Sequence, residues 1–370
     1  MAGVYSDPLG LARRLNQVSL AEHHYFLRMN VCFFRHSLLS RGGDKMVVEY
    51  ANHLASHGHD VVIMTNVMNT VFTVKARVDT ISSAHQNKMS TILKALFIRD
   101  GFDVIIADII VMTFFLSLTK KRSVLYFAQD YDESYYKRPF MKMLIRFVYF
   151  FCLRILRIPV IAVSDELGQL LRKRFNANVT VVPNGVDNDV FYPDKDEEYL
   201  SLKGNSKVIL VFARSDYRKG FDLSIEVLTG FNKEIEDGII SVWAVGEDLE
   251  VPFKMRNFGF VPPEKLRKIL SCSDVLLYPS RHEGLPLFVL EAMACGCPLV
   301  TTEAVKIMTD NIDALICKVE NIACLQDSLA RIMKDIPLRE HLSAGGSSTV
   351  KKYSLSASKE QFYRTLQAFV

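Results

Sequence analysis

The sequence predicts an α/β protein built from two Rossmann-like, doubly wound domains that face each other across a cleft. Near-continuous apolar runs alternate with helical periodicities, and a strand–helix–strand pattern begins twice. At 370 residues the chain is also too long for one ordinary core. Apolar residues make up 49% of it and charged residues 23%, the balance of a folded soluble protein.

The first pattern opens with a strand at Met29-Asn30-Val31-Cys32-Phe33-Phe34. A loop carrying Arg41-Gly42-Gly43 follows, then a helix over 45–58. Its apolar residues Met46, Val47, Tyr50, Ala51, Leu54 and Ala55 recur at helical spacing and stop at Gly58. Residues 59–65 form the next strand and close a βαβ unit. The runs 104–107, 123–128 and 160–163 supply further strands. The second pattern follows the break Pro183-Asn184-Gly185, with the polar stretch 194–205 read as a linker. It comprises a strand at 207–213, a helix at 222–228, a strand at 239–245, a helix at 264–271, a strand at 274–280 and a helix at 288–294.

The net charge of +4 hides an asymmetry. Residues 1–190 hold 23 Lys/Arg against 16 Asp/Glu, and the remainder 22 against 25. A basic first half suits an anionic surface or substrate, and equally a solvated basic face. No helix-turn-helix, RNP or zinc pattern points to nucleic acid. The seven cysteines lack zinc-like spacing, Cys295 and Cys297 forming a lone C-x-C. Such a set fits a reducing cytosol better than a disulfide scaffold. Residues 1–27 contain no signal-peptide core, and the most apolar stretch, 104–118, is short and broken by Asp108. The expected location is cytoplasmic, free or peripheral on the inner face of the cell membrane.

Chemistry concentrates in two loops. Glu283-Gly284-Leu285-Pro286-Leu287 lies between a strand and a helix, with Glu291 about one turn into that helix. Ligands of open α/β sheets bind outside the carboxyl ends of strands. There two acids can accept hydrogen bonds from a polyhydroxylated ligand, while free N–H groups at the helix start face an anion. Arg214-Ser215-Asp216-Tyr217-Arg218-Lys219-Gly220 occupies the carboxyl end of the strand that opens the second half. Arginine forks onto phosphate oxygens, and lysine supplies a mobile charge. A basic loop alone is commonplace; beside the 283–291 loop it suggests a sugar joined to a diphosphate. No G-x-x-x-x-G-K-[ST] loop occurs.

Together these blocks resemble the donor site of the retaining GT-B glycosyltransferases of family 4 (group 1), of the bacterial cell-surface polysaccharide type. The resemblance covers roughly 28–300 and includes Gly42-Gly43, Gly58-His59 and Val182-Pro183-Asn184-Gly185-Val186-Asp187. It implies a nucleotide-diphosphate sugar as co-substrate, with no other cofactor and no metal, because Arg214 and Lys219 neutralise the diphosphate and stabilise the charge of the breaking bond. Glu283 would face the hexose and Glu291 the ribose, with the backbone N–H groups of Gly284, Leu285, Pro286 and Leu287 as that loop's share of the contacts wherever an N–H exists. Gly42 and Gly43 would let the first domain approach the donor phosphates. Glu283, Arg214 and Lys219 are the catalytic candidates. The two acids lie along the ligand rather than flanking the scissile bond as a hydrolase pair.

The implied domains are an extension at 1–27, an acceptor domain at 28–183 and a donor domain at 184–352. A helix at 353–370 would return to the first domain. On the acceptor side, Gln129 and Asp130 stand where many relatives carry a histidine, and contact with sugar or acceptor is weighed against helix capping by Asp130. The acceptor expected is a saccharide or a lipid-linked saccharide. Residues 137–158 mix Lys and Arg with Phe, Leu and Tyr, as a helix in an anionic membrane interface does; the same helix could simply cover the sheet. After Thr302-Glu303, relatives carry a glycine-rich loop that this chain lacks. Rival readings are a catalytically silent nucleotide-sugar-binding subunit and a GT-B-fold epimerase or phosphorylase.

Overall fold

The computed structural model describes residues 28–82, 87–99 and 101–370. The expected extension at 1–27 lies outside them. In chain order the first half contains β1 (Asn30–Phe34), β2 (Ser37–Leu39), α1 (Gly42–Ser56), β3 (Asp60–Thr65), β4 (Val67–Asn69), β5 (Arg77–Thr80), α2 (Lys88–Lys94) and β6 (Val104–Ala107). It continues with α3 (Ile110–Lys120), β7 (Val124–Ala128), α4 (Pro139–Tyr149), β8 (Val160–Ala162), α5 (Asp165–Phe175) and β9 (Val179–Val181). Seven strands form one parallel sheet in the order β5-β3-β1-β6-β7-β8-β9.

The second half runs α6 (Glu197–Lys203), β10 (Lys207–Ala213), α7 (Phe221–Thr229), α8 (Asn232–Glu236), β11 (Ile240–Gly246), β12 (Met255–Asn257), α9 (Pro263–Cys272) and β13 (Val275–Tyr278). After these come α10 (Leu287–Ala294), β14 (Leu299–Thr302), β15 (Leu315–Cys317), α11 (Ile322–Lys334), α12 (Ile336–Val350) and α13 (Leu355–Gln367). Its parallel sheet has the order β12-β11-β10-β13-β14-β15. In both sheets the order reverses beside the first strand, between β1 and β6 and between β10 and β13. Each reversal opens a crevice at the carboxyl ends of the strands.

The central strands are buried along their length because helices cover both faces: every residue of β6, β7, β13 and β14 is buried. The chain passes between the halves twice, and the two passages touch. Val186 N–H donates to the Tyr353 carbonyl (2.8 Å) and Leu355 N–H to the Val186 carbonyl (3.0 Å). Helix α13 then packs on α1, with the rings of Tyr50 and Phe362 stacked 3.9 Å apart and the Tyr50 and Ser358 hydroxyls 2.8 Å apart.

Two expectations are corrected. The polar stretch 194–205 is not simply a linker, since it contains α6. Its charges build that helix: Asp196 caps the N-terminus, and Lys203 and Lys268 pair with Asp274 (2.6 Å) and Asp196 (2.8 Å). The cysteines are not all thiols either. Cys317 and Cys324 form a disulfide, because the turn from β15 into α11 brings their Cα atoms to 5.9 Å. The other five cysteines are free and buried.

Candidate functional site

The two loops singled out in the sequence follow neighbouring strands, β10 and β13, at the crevice of the second sheet. Residues 214–220 leave β10 and turn into α7 at Gly220, whose φ of +67° lies in the left-handed region. A Cβ there would also overlap the Pro279 carbonyl oxygen, so the glycine lets the two loops run in contact. The Arg281 N–H donates to the Arg218 carbonyl (2.7 Å), which fixes the loops in register.

Glu283 is the most constrained acid in the crevice, its side chain 4% exposed. Its carboxylate accepts from Lys219 Nζ, Tyr278 Oη and Ser280 Oγ, each at 2.7 Å. Lys219 and Glu283 are therefore brought together. Arg214 differs from them in that its guanidinium lies over the rings of Phe212 and Phe260 and its Nε has no hydrogen-bond partner, although Glu247 Oε1 is 3.1 Å away. Burial lowers its pKa from the ordinary arginine value, and the nearby Glu247 only partly offsets this. A mostly desolvated cation with an unbonded N–H is suited to receive an anion.

Glu291 lies within α10, its oxygen Oε1 accepting from Lys45 Nζ at 2.6 Å. Lys45 belongs to α1, so this buried ion pair crosses the cleft. Gly42 and Gly43 begin the same helix; Gly42 lies beside Leu287, and a Cβ at Gly43 would overlap the Gln129 amide. Gly284 lies so close to the first domain that a Cβ would overlap the Gln129 carbonyl oxygen. Leu285 presents its carbonyl to Asn184 Nδ2 (3.1 Å), which ties this loop to the first chain passage. Pro286 and Leu287 open α10.

The acceptor-side candidates are both engaged. The Gln129 amide donates to Asp108 Oδ2 (3.2 Å), beside Arg35, which bonds Asp44 and lies 3.1 Å from Asp108. Asp130 accepts from His282 Nε2 (2.7 Å) and from Arg218, and both partners belong to the second domain. Asp130 caps no α-helix, while Ser164 caps α5 by accepting from the Leu167 N–H (3.2 Å). A cavity of about 450 Å³ opens beside Glu283, lined by Asp130, Glu166, His282, Glu303 and Lys306 among others. A second, of about 90 Å³, is lined by Lys45, Phe212, Gly246, Phe260, Phe288 and Glu291. Among the described residues no group of His, Cys, Asp or Glu could hold a metal ion. No described helix is long and apolar enough to cross a membrane.

Sequence reading gave Lys45 and Asn184 no contact in the site and did not foresee the engagement of Arg218. Asn184 could have been weighed from the Pro183-Asn184-Gly185 break. Lys45 carried no local signal, since its partner is 246 positions away.

Residues 194–349 match the family model described as "Glycosyl transferases group 1", and residues 40–190 match "Glycosyltransferase Family 4". Among curated proteins, the phosphatidyl-myo-inositol mannosyltransferase of Mycobacterium leprae is 23% identical over 219 residues, covering 56% of this chain and 58% of that protein. The chain spans about half the length of the curated relatives it matches first. Solved structures align over nearly the whole chain. Sucrose-phosphate synthase from Thermosynechococcus elongatus superimposes with a TM-score of 0.78 at 16% identity, covering 93% of this chain and 100% of that one. Anabaena HepE in complex with UDP-glucose gives 0.74 at 14% identity, covering 92% and 100%. At these identities the superpositions establish the two-domain fold.

Proposed function

Because the chain belongs to the group 1 glycosyltransferases of family 4 and has their GT-B fold, we propose that it transfers a hexose from a nucleotide-diphosphate sugar to a saccharide or lipid-linked acceptor, with retention of anomeric configuration. Its place would be the biosynthesis of a cell-surface polysaccharide or glycolipid. The observation that carries this reading is Arg214, whose Nε is buried and unbonded, just past the strand that pairs with the one leading to Glu283. It supports a diphosphate at the crevice, with the ribose toward Glu291 and the hexose toward Glu283.

In this reading Arg214 and Lys219 stabilise the leaving diphosphate as negative charge builds on it. Glu283, held by three donors, orients hexose hydroxyls and favours positive charge on the ring. The diphosphate takes the acceptor proton on the face it leaves, so no side-chain base and no metal are assigned. The cavity beside Glu283 has room for the acceptor's sugar. The smaller cavity holds only a few waters, so a nucleoside enters as the domains part and Lys45 withdraws from Glu291.

A thermal-shift screen of UDP- and GDP-sugars tests the donor reading. A ligand at 100 times its Kd adds about 2.7 kcal/mol of stability; no shift with any nucleotide or nucleotide sugar rejects it. The peripheral-membrane reading draws support from α4, where Phe140, Met143 and Phe147 lie on one face and are 67%, 60% and 60% exposed. Lys142 on the same helix, with Lys137 and Arg138 before it, suits anionic lipid. Flotation with anionic vesicles at low salt should carry the protein upward, and a Phe140→Ser/Phe147→Ser double variant should stay behind. Failure of the wild type to float removes the membrane from the proposal.

A further inference from the structure

We infer that Asp130 is a positioning residue, a carboxylate of the first domain that locks the cleft shut by engaging Arg218 and His282 of the second. This rests on the glycosyl-transfer reading of the cleft and assigns Asp130 and Arg218 a different task from substrate contact.

The geometry is bidentate across the domain boundary. Asp130 Oδ2 bonds Arg218 Nη1, and Asp130 Oδ1 bonds His282 Nε2 at 2.7 Å while also accepting its neighbour's Tyr131 N–H at 2.7 Å. The Asp130 side chain is 13% exposed and that of Arg218 is 11% exposed. The aromatic ring of Tyr135, also from the first domain, lies 3.7 Å from the Arg218 guanidinium. On its own side, Arg218 is held by Asp216 through Nε (3.1 Å) and Nη2 (2.6 Å). Burial pushes the Asp130 carboxyl up, but His282, Arg218 and Lys219 outweigh it and hold the group below the usual carboxylate range.

Arg218 is thus occupied on every side, unlike Arg214, and is not a free phosphate ligand. Its engagement sets both loops of the donor site at once. Arg218 directly precedes Lys219, and its carbonyl accepts from Arg281 N–H (2.7 Å). His282 directly precedes Glu283, and Ser280, the neighbour of Arg281, donates its hydroxyl to Glu283. Formation of the Asp130 contacts therefore fixes Lys219 and Glu283 relative to the first domain and builds one wall of the 450 Å³ cavity. A buried ion pair gains little net stability over an apolar contact, but it specifies one arrangement, and removing one partner leaves an uncompensated charge. The pair suits a device that must select a single closed register rather than merely hold the domains together.

The lock lies at the hexose end, while Lys45–Glu291 spans the ribose end. Breaking the Asp130 contacts leaves Lys219 held by Glu283 within the second domain, where the nucleotide binds in this reading. Asp130→Asn and Arg218→Gln should each lower kcat by about ten- to a hundred-fold, the range of one charge-assisted hydrogen bond. The Kd for UDP or GDP, measured by titration calorimetry, should stay within about three-fold. The double variant should be no slower than the slower single variant, because both remove one shared contact. Arg218→Lys should recover part of the loss. Small-angle scattering of the ligand-free proteins gives a reading independent of turnover, in which Asp130→Asn has the larger radius of gyration.

Losses that multiply in the double variant, or that fall equally on Kd and kcat, overturn the lock, as does wild-type turnover in Asp130→Asn. Equal radii of gyration with unchanged melting temperatures also overturn it. A wild type that neither binds nucleotide nor turns over a nucleotide sugar refutes the proposed function instead, and scattering then decides the lock alone.

Discussion

Replacing Arg214 by methionine separates a functional cation from a structural one. Methionine keeps the contact with the rings of Phe212 and Phe260 and removes the charge. In the ligand-free protein little is lost. The Arg214 Nε makes no hydrogen bond, and Glu247, whose side chain is 29% exposed, keeps the Ser215 N–H (2.8 Å) and access to water. Removing a desolvated charge can even stabilise the fold. About 1 kcal/mol corresponds to roughly 2–4 °C in Tm for a domain of this size, so the ligand-free Tm should be unchanged or a few degrees higher.

Nucleotide binding should move the other way. A charge-assisted contact of about 1.5–3 kcal/mol corresponds to a ten- to hundred-fold loss of affinity. At a nucleotide concentration of 100 times the wild-type Kd, a thirty-fold weaker variant gains about 0.9 kcal/mol instead of about 2.7 kcal/mol. Differential scanning fluorimetry with and without UDP or GDP reads both quantities in one experiment. A variant that melts several degrees lower without ligand, yet keeps the full ligand shift, would falsify this reasoning. Arg214 would then be an ordinary ion-pair partner of Glu247.

Other perturbations probe the rest of the cleft. Glu283→Gln should reduce turnover more than nucleotide affinity, and Glu291→Ala should do the reverse; equal effects on both parameters in kinetics and calorimetry contradict the roles assigned to the two acids. Gly284→Ala places a methyl group against the Gln129 carbonyl and should hold the domains apart, lowering kcat while the nucleotide still binds, and wild-type kcat would show that the closed contact is not needed. Asp132 is buried, which raises its pKa to about 8 and outweighs the Ile110 N–H donating to it. The folded form therefore holds this proton more tightly than the unfolded chain, whose carboxyl titrates near about 3.9, and the stability it contributes is lost as pH rises from about 4 to 8. Asp132→Asn keeps an acceptor for Ile110 and should flatten that decline between pH 5 and 8. Parallel Tm profiles for variant and wild type would count against it.

Much of this fold was legible because each central strand is a single apolar run. The strand predicted at 207–213 is β10 residue for residue, and Gly58 and Pro183 mark real breaks between elements. The stretch 194–205 was misread for a physical reason: the charges that make it look like a linker are the cap and ion pairs that hold α6 on α9. In the site, residues on one strand end could be read from local pattern, as with Glu283 and Arg214. Contacts between domains could not. Asp130 meets Arg218 and His282 across separations of 88 and 152 residues, and nothing near Asp130 in sequence announces either. The same limit hid Lys45, which follows Gly42 and Gly43 at the start of α1.

The paired chain passages have a consequence for synthesis. Gly185 packs so tightly on Ser354 that a side chain there would meet its backbone at 2.5 Å, and α13 immediately beyond supplies Phe362 to the core of the first sheet. The first half of the polypeptide therefore leaves the ribosome lacking one of its own walls. At roughly 5–20 residues per second, the wait for that wall is on the order of 10–40 s, the time in which the whole second half is made. The half made first is the half finished last, and until then the hydrophobic seat of Phe362 is open to chaperones and to other nascent chains.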